Sequence, residues 1–160
     1  MTTLAEQYVN DIVQAQGIVL DANVAMLYVV GSINPKQIPK HHRTSAYHSN
    51  DYWTLLTLVS KARTSFAVPH TLTELSNLGD TTPLFRLAFR SLFRDIEELP
   101  LKSIVGFDSN VFIRSGLTDA MLVEVAQQNY LVITADHALY SFITNLGRPC
   151  INFNYLKERP

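Results

Sequence analysis

The sequence predicts an α/β fold: a three-layer sandwich with a mainly parallel central sheet flanked by helices. Three observations point there. "IVL" (18–20) and "LVIT" (131–134) are apolar at nearly every position, as strands buried on both faces are. Segments of helical period separate the strand-like runs, so successive strands are joined by crossovers and run parallel. Finally, 160 residues with 47% apolar content suffice for one buried core, so residues 1–160 are read as a single domain.

The elements follow in order. Leu4–Gln16 reads as a short amphipathic helix, broken at Gly17 before the strand "IVLD" (18–21). "ANVAMLYVV" is helical and ends at "GSINPKQIP". Residues 33–50, "INPKQIPKHHRTSAYHSN", read as one long loop with Lys36, Lys40, Arg43 and three histidines but no acid. A loop of this length is either functional or a solvated excursion, and the expectation here is the solvated one. "DYWTLLTLVSKAR" (51–63) is a helix capped by Asn50 or Asp51. "SFAVPH" (65–70) is a strand, followed by a helix "TLTELSNLG" closing at Gly79.

Residues 81–99 give the clearest helical signal, with Thr82 as cap and Pro83 in the first turn. Residues 101–116 read as a short extended piece and then a loop or half-helix. "LTDAMLVEVAQQN" (117–129) is a helix capped by Thr118, and "YLVITAD" (130–136) a strand. "HALYSFITNLG" is a helix ending at Gly147, and "PCINFNYL" (149–156) the last strand.

Bulk properties exclude several classes. Thirteen Lys and Arg against fourteen Asp and Glu argue against a polycationic coat, so any basic surface is local. Cys150 is the only cysteine, which excludes an internal disulfide and a thiolate metal cluster. The opening residues lack a basic-then-apolar signal pattern, and no stretch approaches the ~20 apolar residues of a membrane span. The cytoplasm is therefore the expected compartment, with no membrane partner.

In a parallel α/β sheet the functional crevice lies beyond the carboxyl ends of the strands. Asp21 and Asp136 each end a strand there. Asp119 lies in the first turn of its helix, and Glu74 about one turn after the "FAVP" strand. Taken singly, Asp21 and Asp136 read equally well as helix caps, and Glu74 as a surface acid. Together they read differently: at about 4 Å and an effective dielectric near 20, two like charges cost each other roughly 4 kcal/mol. A nest of acids must hold protons or hold a cation. Mg²⁺ and Mn²⁺ prefer oxygen ligands and turn bound water into a nucleophile against phosphodiesters.

"IVLDAN", "VPHTLTEL", "GLTDAMLVEVA" and "VITADHAL", in this order and spacing, resemble the four acidic motifs of the PIN-domain nucleases. That family includes the toxin ribonucleases of bacterial toxin–antitoxin pairs. The resemblance covers about residues 17–156. It implies a PIN-like fold, a divalent-metal-dependent endoribonuclease acting on RNA, and Mg²⁺ or Mn²⁺ held by Asp21, Glu74, Asp119 and Asp136. Asn23 and Thr134 fall where the family has small polar residues. Asn23 is either a site residue or an ordinary helix-turn residue, and Thr134 is expected to orient a carboxylate. The partners it implies are an RNA substrate, an antitoxin protein and a second copy of the chain.

Other residues bear on substrate. Arg86, Arg90 and Arg94 recur every fourth position, as a solvated face or a phosphate-tracking ridge. Arg114, just upstream of Asp119, is the better candidate for a substrate arginine. Tyr47, Tyr52 and Trp53 could stack on bases, but core packing is the simpler account of Trp53. His137 is expected to face solvent. The functional alternative is a non-catalytic PIN-like scaffold binding RNA or protein. A haloacid-dehalogenase phosphatase would want an acid at position 23, and a Rossmann site would want glycines after the first strand; the sequence has neither.

Overall fold

The computed structural model describes residues 3–94 and 96–157. Helix α1 (Leu4–Gln14) is capped by Thr3, whose hydroxyl accepts from Glu6 while Glu6 reaches back to the Thr3 amide. Strand β1 (Ile18–Leu20) leads into α2 (Ala22–Ile33). A 3₁₀ helix (Pro35–Lys40) and α3 (Ser49–Lys61) come next, then β2 (Ser65–Ala67) and α4 (Pro69–Leu78). Helix α5 (Pro83–Phe93) precedes β3 (Glu97–Glu98), and two short helices follow, α6 (Ser103–Phe107) and α7 (Asn110–Ser115). The chain closes with α8 (Leu117–Gln127), β4 (Leu131–Thr134), α9 (His137–Asn145), β5 (Cys150–Asn152) and a 3₁₀ turn over Phe153–Tyr155.

The five strands form one all-parallel sheet in the order β3-β2-β1-β4-β5. Side chains of a strand alternate between faces, and the core divides accordingly. Ile18, Leu20, Leu131, Ile133 and Ile151 face one way, onto a cluster that includes Ile12, Leu27, Leu55 and Phe85. Val19, Val132 and Cys150 face the other way, onto Met121, Leu122 and Ile143. A sheet buried on both faces between two helical layers is the predicted three-layer α/β sandwich. Among the described residues, no helix is long and apolar enough to cross a membrane.

Several local expectations are corrected. Residues 33–50 are not a solvated loop. Ile38 and Thr44 are fully buried, the Thr44 hydroxyl donates to the Ile38 carbonyl at 2.8 Å, and Ser49 donates to that of Pro35 at 2.9 Å. Helix α3 begins at Ser49, earlier than expected. Asp51 sits in its first turn and accepts from the His48 amide at 2.7 Å, so Asp51 does not itself form the cap. The 81–99 helix stops at Phe93 because Glu97 and Glu98 pair with Phe66 and Ala67 as the edge strand β3; residue 95 lies outside the described residues. Residues 101–116 hold two short helices. The cap of α8 is Gly116, at φ +94°, not Thr118. The strand expected at 149–156 ends at Asn152.

Candidate functional site

The order of the sheet creates the site. From β1 the chain adds strands on one side through β2, and later on the other through β4, so the connections diverge at the β1–β4 pair. Beyond the carboxyl ends of such a pair a crevice opens. Leu20 is in register with Ile133, which sets Asp21 beside Thr134 at that edge. The Asp21 amide donates to the Ile133 carbonyl at 2.9 Å.

Asp21 is only 5% exposed. Its Oδ1 accepts from the Ala22 amide at 2.6 Å, and its Oδ2 accepts from the Thr134 hydroxyl at 2.7 Å. Cap and site acid are therefore not alternatives here, since one oxygen starts α2 while the other faces the adjacent strand. Thr134, itself fully buried, also accepts from the Asp136 amide at 2.9 Å. Asp136 Oδ1 accepts from Ala138 and Leu139 at 2.7 and 3.0 Å and so caps α9; Oδ2 takes part in neither bond. One hydroxyl thus locks the relative placement of two carboxylates from segments more than a hundred residues apart.

Asp119 and Glu74 complete the group. Burial, together with the negative charges of Asp21, Asp136 and Glu74, pushes the Asp119 carboxyl up to about 7. Burial also raises Asp21, against the lowering effect of its bonds to Thr134 and Ala22; Glu74 and Asp136 raise it further. No positive side chain is among the groups acting on either acid. The fold therefore brings all four predicted acids into one negative field.

They are close enough to repel but are not drawn into a closed knot. Among the described residues, the group of three or more metal-ligand atoms lying mutually within 4.8 Å is His41, His42 and Asp80, not a trio of these acids. A spread set of carboxylates without a counter-charge fits a hard divalent ion that keeps several of its waters. It does not fit a dehydrated, tightly caged ion.

A cavity of about 460 Å³ opens beside Glu74 and is lined by His70, Thr73, Asn77, Leu117 and Thr118 among others. His70 went unnoticed in the sequence because it fell within the strand expected at 65–70; that strand ends at Ala67, and His70 lies in the first turn of α4. Its Nε2 lies 2.8 Å from the Ser103 hydroxyl, and its Nδ1 is buried without a partner. That leaves a hydrogen-bonding ring nitrogen in the wall beside Glu74.

The remaining candidates are placed as follows. Asn23 is exposed on the first turn of α2. Arg114 is exposed on α7 and lines a groove of about 300 Å³ with Ala138, Leu139 and Ser141 of α9. Arg86 and Arg90 line a separate hollow along α5, and Arg94 is exposed just beyond its end. Tyr47 and Tyr52 are buried and present no stacking surface. Burial, with the charges of Asp21 and Asp51, pushes Tyr47 up to about 12. Trp53 overturns the packing expectation: it is 53% exposed, with its ring 5.0 Å from that of Tyr52. His137 is exposed, as expected, and lies 3.3 Å from the Tyr155 hydroxyl.

No protein-family model, curated protein or solved structure matches the chain.

Proposed function

We propose that the chain is a divalent-metal-dependent endoribonuclease of the PIN type, hydrolysing RNA phosphodiester bonds at the crevice beyond β1 and β4. The observation that carries this reading is the convergence of Asp21, Glu74, Asp119 and Asp136 on one sheet edge, where burial and the charges of the other three raise the Asp119 carboxyl to about 7. Such a concentration of like charge is costly unless it serves a cation.

Asp21, Glu74, Asp119 and Asp136 would hold Mg²⁺ or Mn²⁺, which supplies Lewis acidity toward the phosphate and acidifies water. The protein's own part is positional and acid–base. Thr134 and the Ala22 amide fix both oxygens of Asp21, so the carboxylate meets its ligand without reorganising. Asp136 is held through Oδ1 by the start of α9, which leaves Oδ2 for the crevice. Asp119, only partly buried and raised toward neutrality in the ion-free protein, would be the ligand that gives up a proton as the ion binds, which couples metal uptake to pH. The cavity beside Glu74 provides room for the substrate next to these groups.

On this reading the partners are RNA, an antitoxin protein that silences the nuclease, and a second copy of the chain; the cell compartment is the cytoplasm. The deciding experiment incubates purified protein with single-stranded RNA in Mg²⁺, in Mn²⁺ and in EDTA. Cleavage that needs the ion and disappears in Asp119→Asn is expected. Cleavage indifferent to chelation, or kept in full by that variant, would refute the mechanism.

A further inference from the structure

We propose that His41, His42 and Asp80 form a metal site of their own, one that takes a nitrogen-preferring transition ion such as Zn²⁺. The three residues offer one ligand atom each, all mutually within 4.8 Å. His41 directly follows the Pro35–Lys40 3₁₀ helix, and Asp80 lies in the turn between α4 and α5. Val30 and Ile33, at the far end of α2 from Asp21, line the adjoining cavity of about 250 Å³. Twelve helical residues span about 18 Å, so this site and the carboxylate crevice sit at opposite ends of one helix.

The geometry at His41 is the telling feature. Its Nε2 lies 3.2 Å from Asp80 Oδ2, yet this buried nitrogen makes no hydrogen bond. The two atoms are near each other without being aimed at each other. Two ligands of one tetrahedral zinc ion stand in that relation: bonds of about 2.0–2.1 Å put neighbouring ligand atoms about 3.3 Å apart. The His42 ring lies beside that of His41, with centroids 4.7 Å apart, and is exposed, so it can turn toward the ion without disturbing the core.

Ligand chemistry selects the ion. Two imidazoles and one carboxylate suit Zn²⁺ and its neighbours, whereas Mg²⁺ prefers an all-oxygen shell. Three protein ligands leave a fourth position beside a cavity whose lining includes Gln37. Lys40 lines the same cavity, and its charge works against the ion. Binding also has a local cost. The Arg43 amide donates to His41 Nδ1 at 3.2 Å, which keeps the ring proton on Nε2. Ligation through Nε2 moves that proton to Nδ1 and turns the Arg43 amide out to water, a small change because Arg43 is exposed. The bound ion would clasp the basic 33–50 segment to the α4–α5 turn.

The test is a calorimetric titration of EDTA-stripped full-length protein with Zn²⁺, with Mg²⁺ in excess to occupy the carboxylates. Visible absorption of the Co²⁺ form reports the ligand set. One ion per chain is expected, with at least about tenfold weaker binding in His41→Ala, His42→Ala and Asp80→Asn. Asp119→Asn is expected to leave Zn²⁺ binding unchanged, so failure here is separable from failure of the nuclease reading. Circular dichroism checks the fold, and exposed His42 carries the test if the other variants do not fold. No Zn²⁺ uptake, uptake that survives His42→Ala, or uptake lost only in Asp119→Asn would overturn the proposal.

Discussion

The Thr134 hydroxyl donates to Asp21 Oδ2 at 2.7 Å, tying together residues 113 positions apart at the end of adjacent strands. The Thr134 hydroxyl oxygen also accepts from the Asp136 amide, so a single side chain satisfies a buried acid and positions a second one. Removing it leaves Asp21 with only the Ala22 amide and strips the Asp136 amide of its acceptor. Thr134→Val, which keeps the shape, is expected to lower stability by about 1–3 kcal/mol, the cost of orphaning a buried polar partner. Thr134→Ser restores the hydroxyl and should recover most of it. Thermal unfolding of both variants decides the matter; a Thr134→Val protein as stable as the wild type, with the loss in Thr134→Ser instead, would mean that the methyl group, not the bond, was important.

Asp119 makes the ion-free protein sensitive to pH in a direction opposite to most carboxylates. Its folded value is about 7, against an ordinary 3.8. Between those values the native state binds a proton that the unfolded chain does not, so stability falls as pH rises. The contribution is fully present below 3.8 and lost as pH passes 7. In EDTA, the wild type should therefore melt higher at pH 5 than at pH 8. Asp119→Asn should flatten that difference while raising the melting temperature at pH 8. A wild-type melting temperature that climbs between pH 5 and 8, with the variant parallel to it, would contradict the shared field of the four acids.

A divalent ion answers the same repulsion from the other side. Stabilisation by a ligand that binds only the folded state grows as RT ln(1 + [L]/Kd), about 2.7 kcal/mol at a hundredfold excess over Kd. For a 160-residue chain this is a shift of several degrees. Protons compete for Asp119, so the rise produced by Mn²⁺ should be larger at pH 8 than at pH 5. Asp21→Asn should abolish it. Melting curves across Mn²⁺ concentrations at the two pH values supply the check, and a pH-independent rise would detach the ion from Asp119.

The legibility of these features in the sequence follows how locally they are encoded. β1 and β4 were readable because burial on both faces leaves no polar position to interrupt the apolar run, and their terminal acids fixed the sheet edge. Strand β3 was not. Glu97 and Glu98 are exposed edge residues whose pairing with Phe66 and Ala67 is a tertiary event, and the preceding helical period concealed it. The 33–50 segment misled for the opposite reason. Its prolines and charges suggest solvent, while its burial rests on Ile38, Thr44 and Tyr47 alone. His41 and Asp80 are 39 positions apart and carry no shared motif, so only the packing of the α4–α5 turn brings them together.

Gly31 tests the packing of α2 against α3. A Cβ at this position would come within 2.1 Å of the Tyr52 ring, so the ring or the helix must shift. Alanine gains roughly 0.8–1 kcal/mol over glycine inside a helix, while overpacking a filled core costs about 1–3 kcal/mol. Gly31→Ala is expected to be destabilising on balance, by about 1 kcal/mol. Gly31→Ala combined with Tyr52→Leu should lose less than the two single changes added together. Chemical denaturation of the three variants measures the coupling, and strict additivity would show that the two residues do not compete for space.

Arg114 and Arg90 separate two paths for RNA across the surface. Arg114 lines the groove along α9, whose first amides hold Asp136, so phosphates following that groove lead to the carboxylates. Arg90 lies in the hollow along α5, whose apolar side packs with α2 on the other face of the sheet. An arginine that neutralises one phosphate contributes about one counterion to the salt dependence of binding. Arg114→Ala is therefore expected to weaken binding of single-stranded RNA several-fold and to lower the slope of log K against log salt by about 0.7. Arg90→Ala should leave both unchanged. Fluorescence anisotropy across a salt series, in Ca²⁺ or in the Asp119→Asn background to prevent cleavage, gives both quantities. The reverse pattern would move the RNA path to α5, and with it the surface along which substrate reaches Asp136.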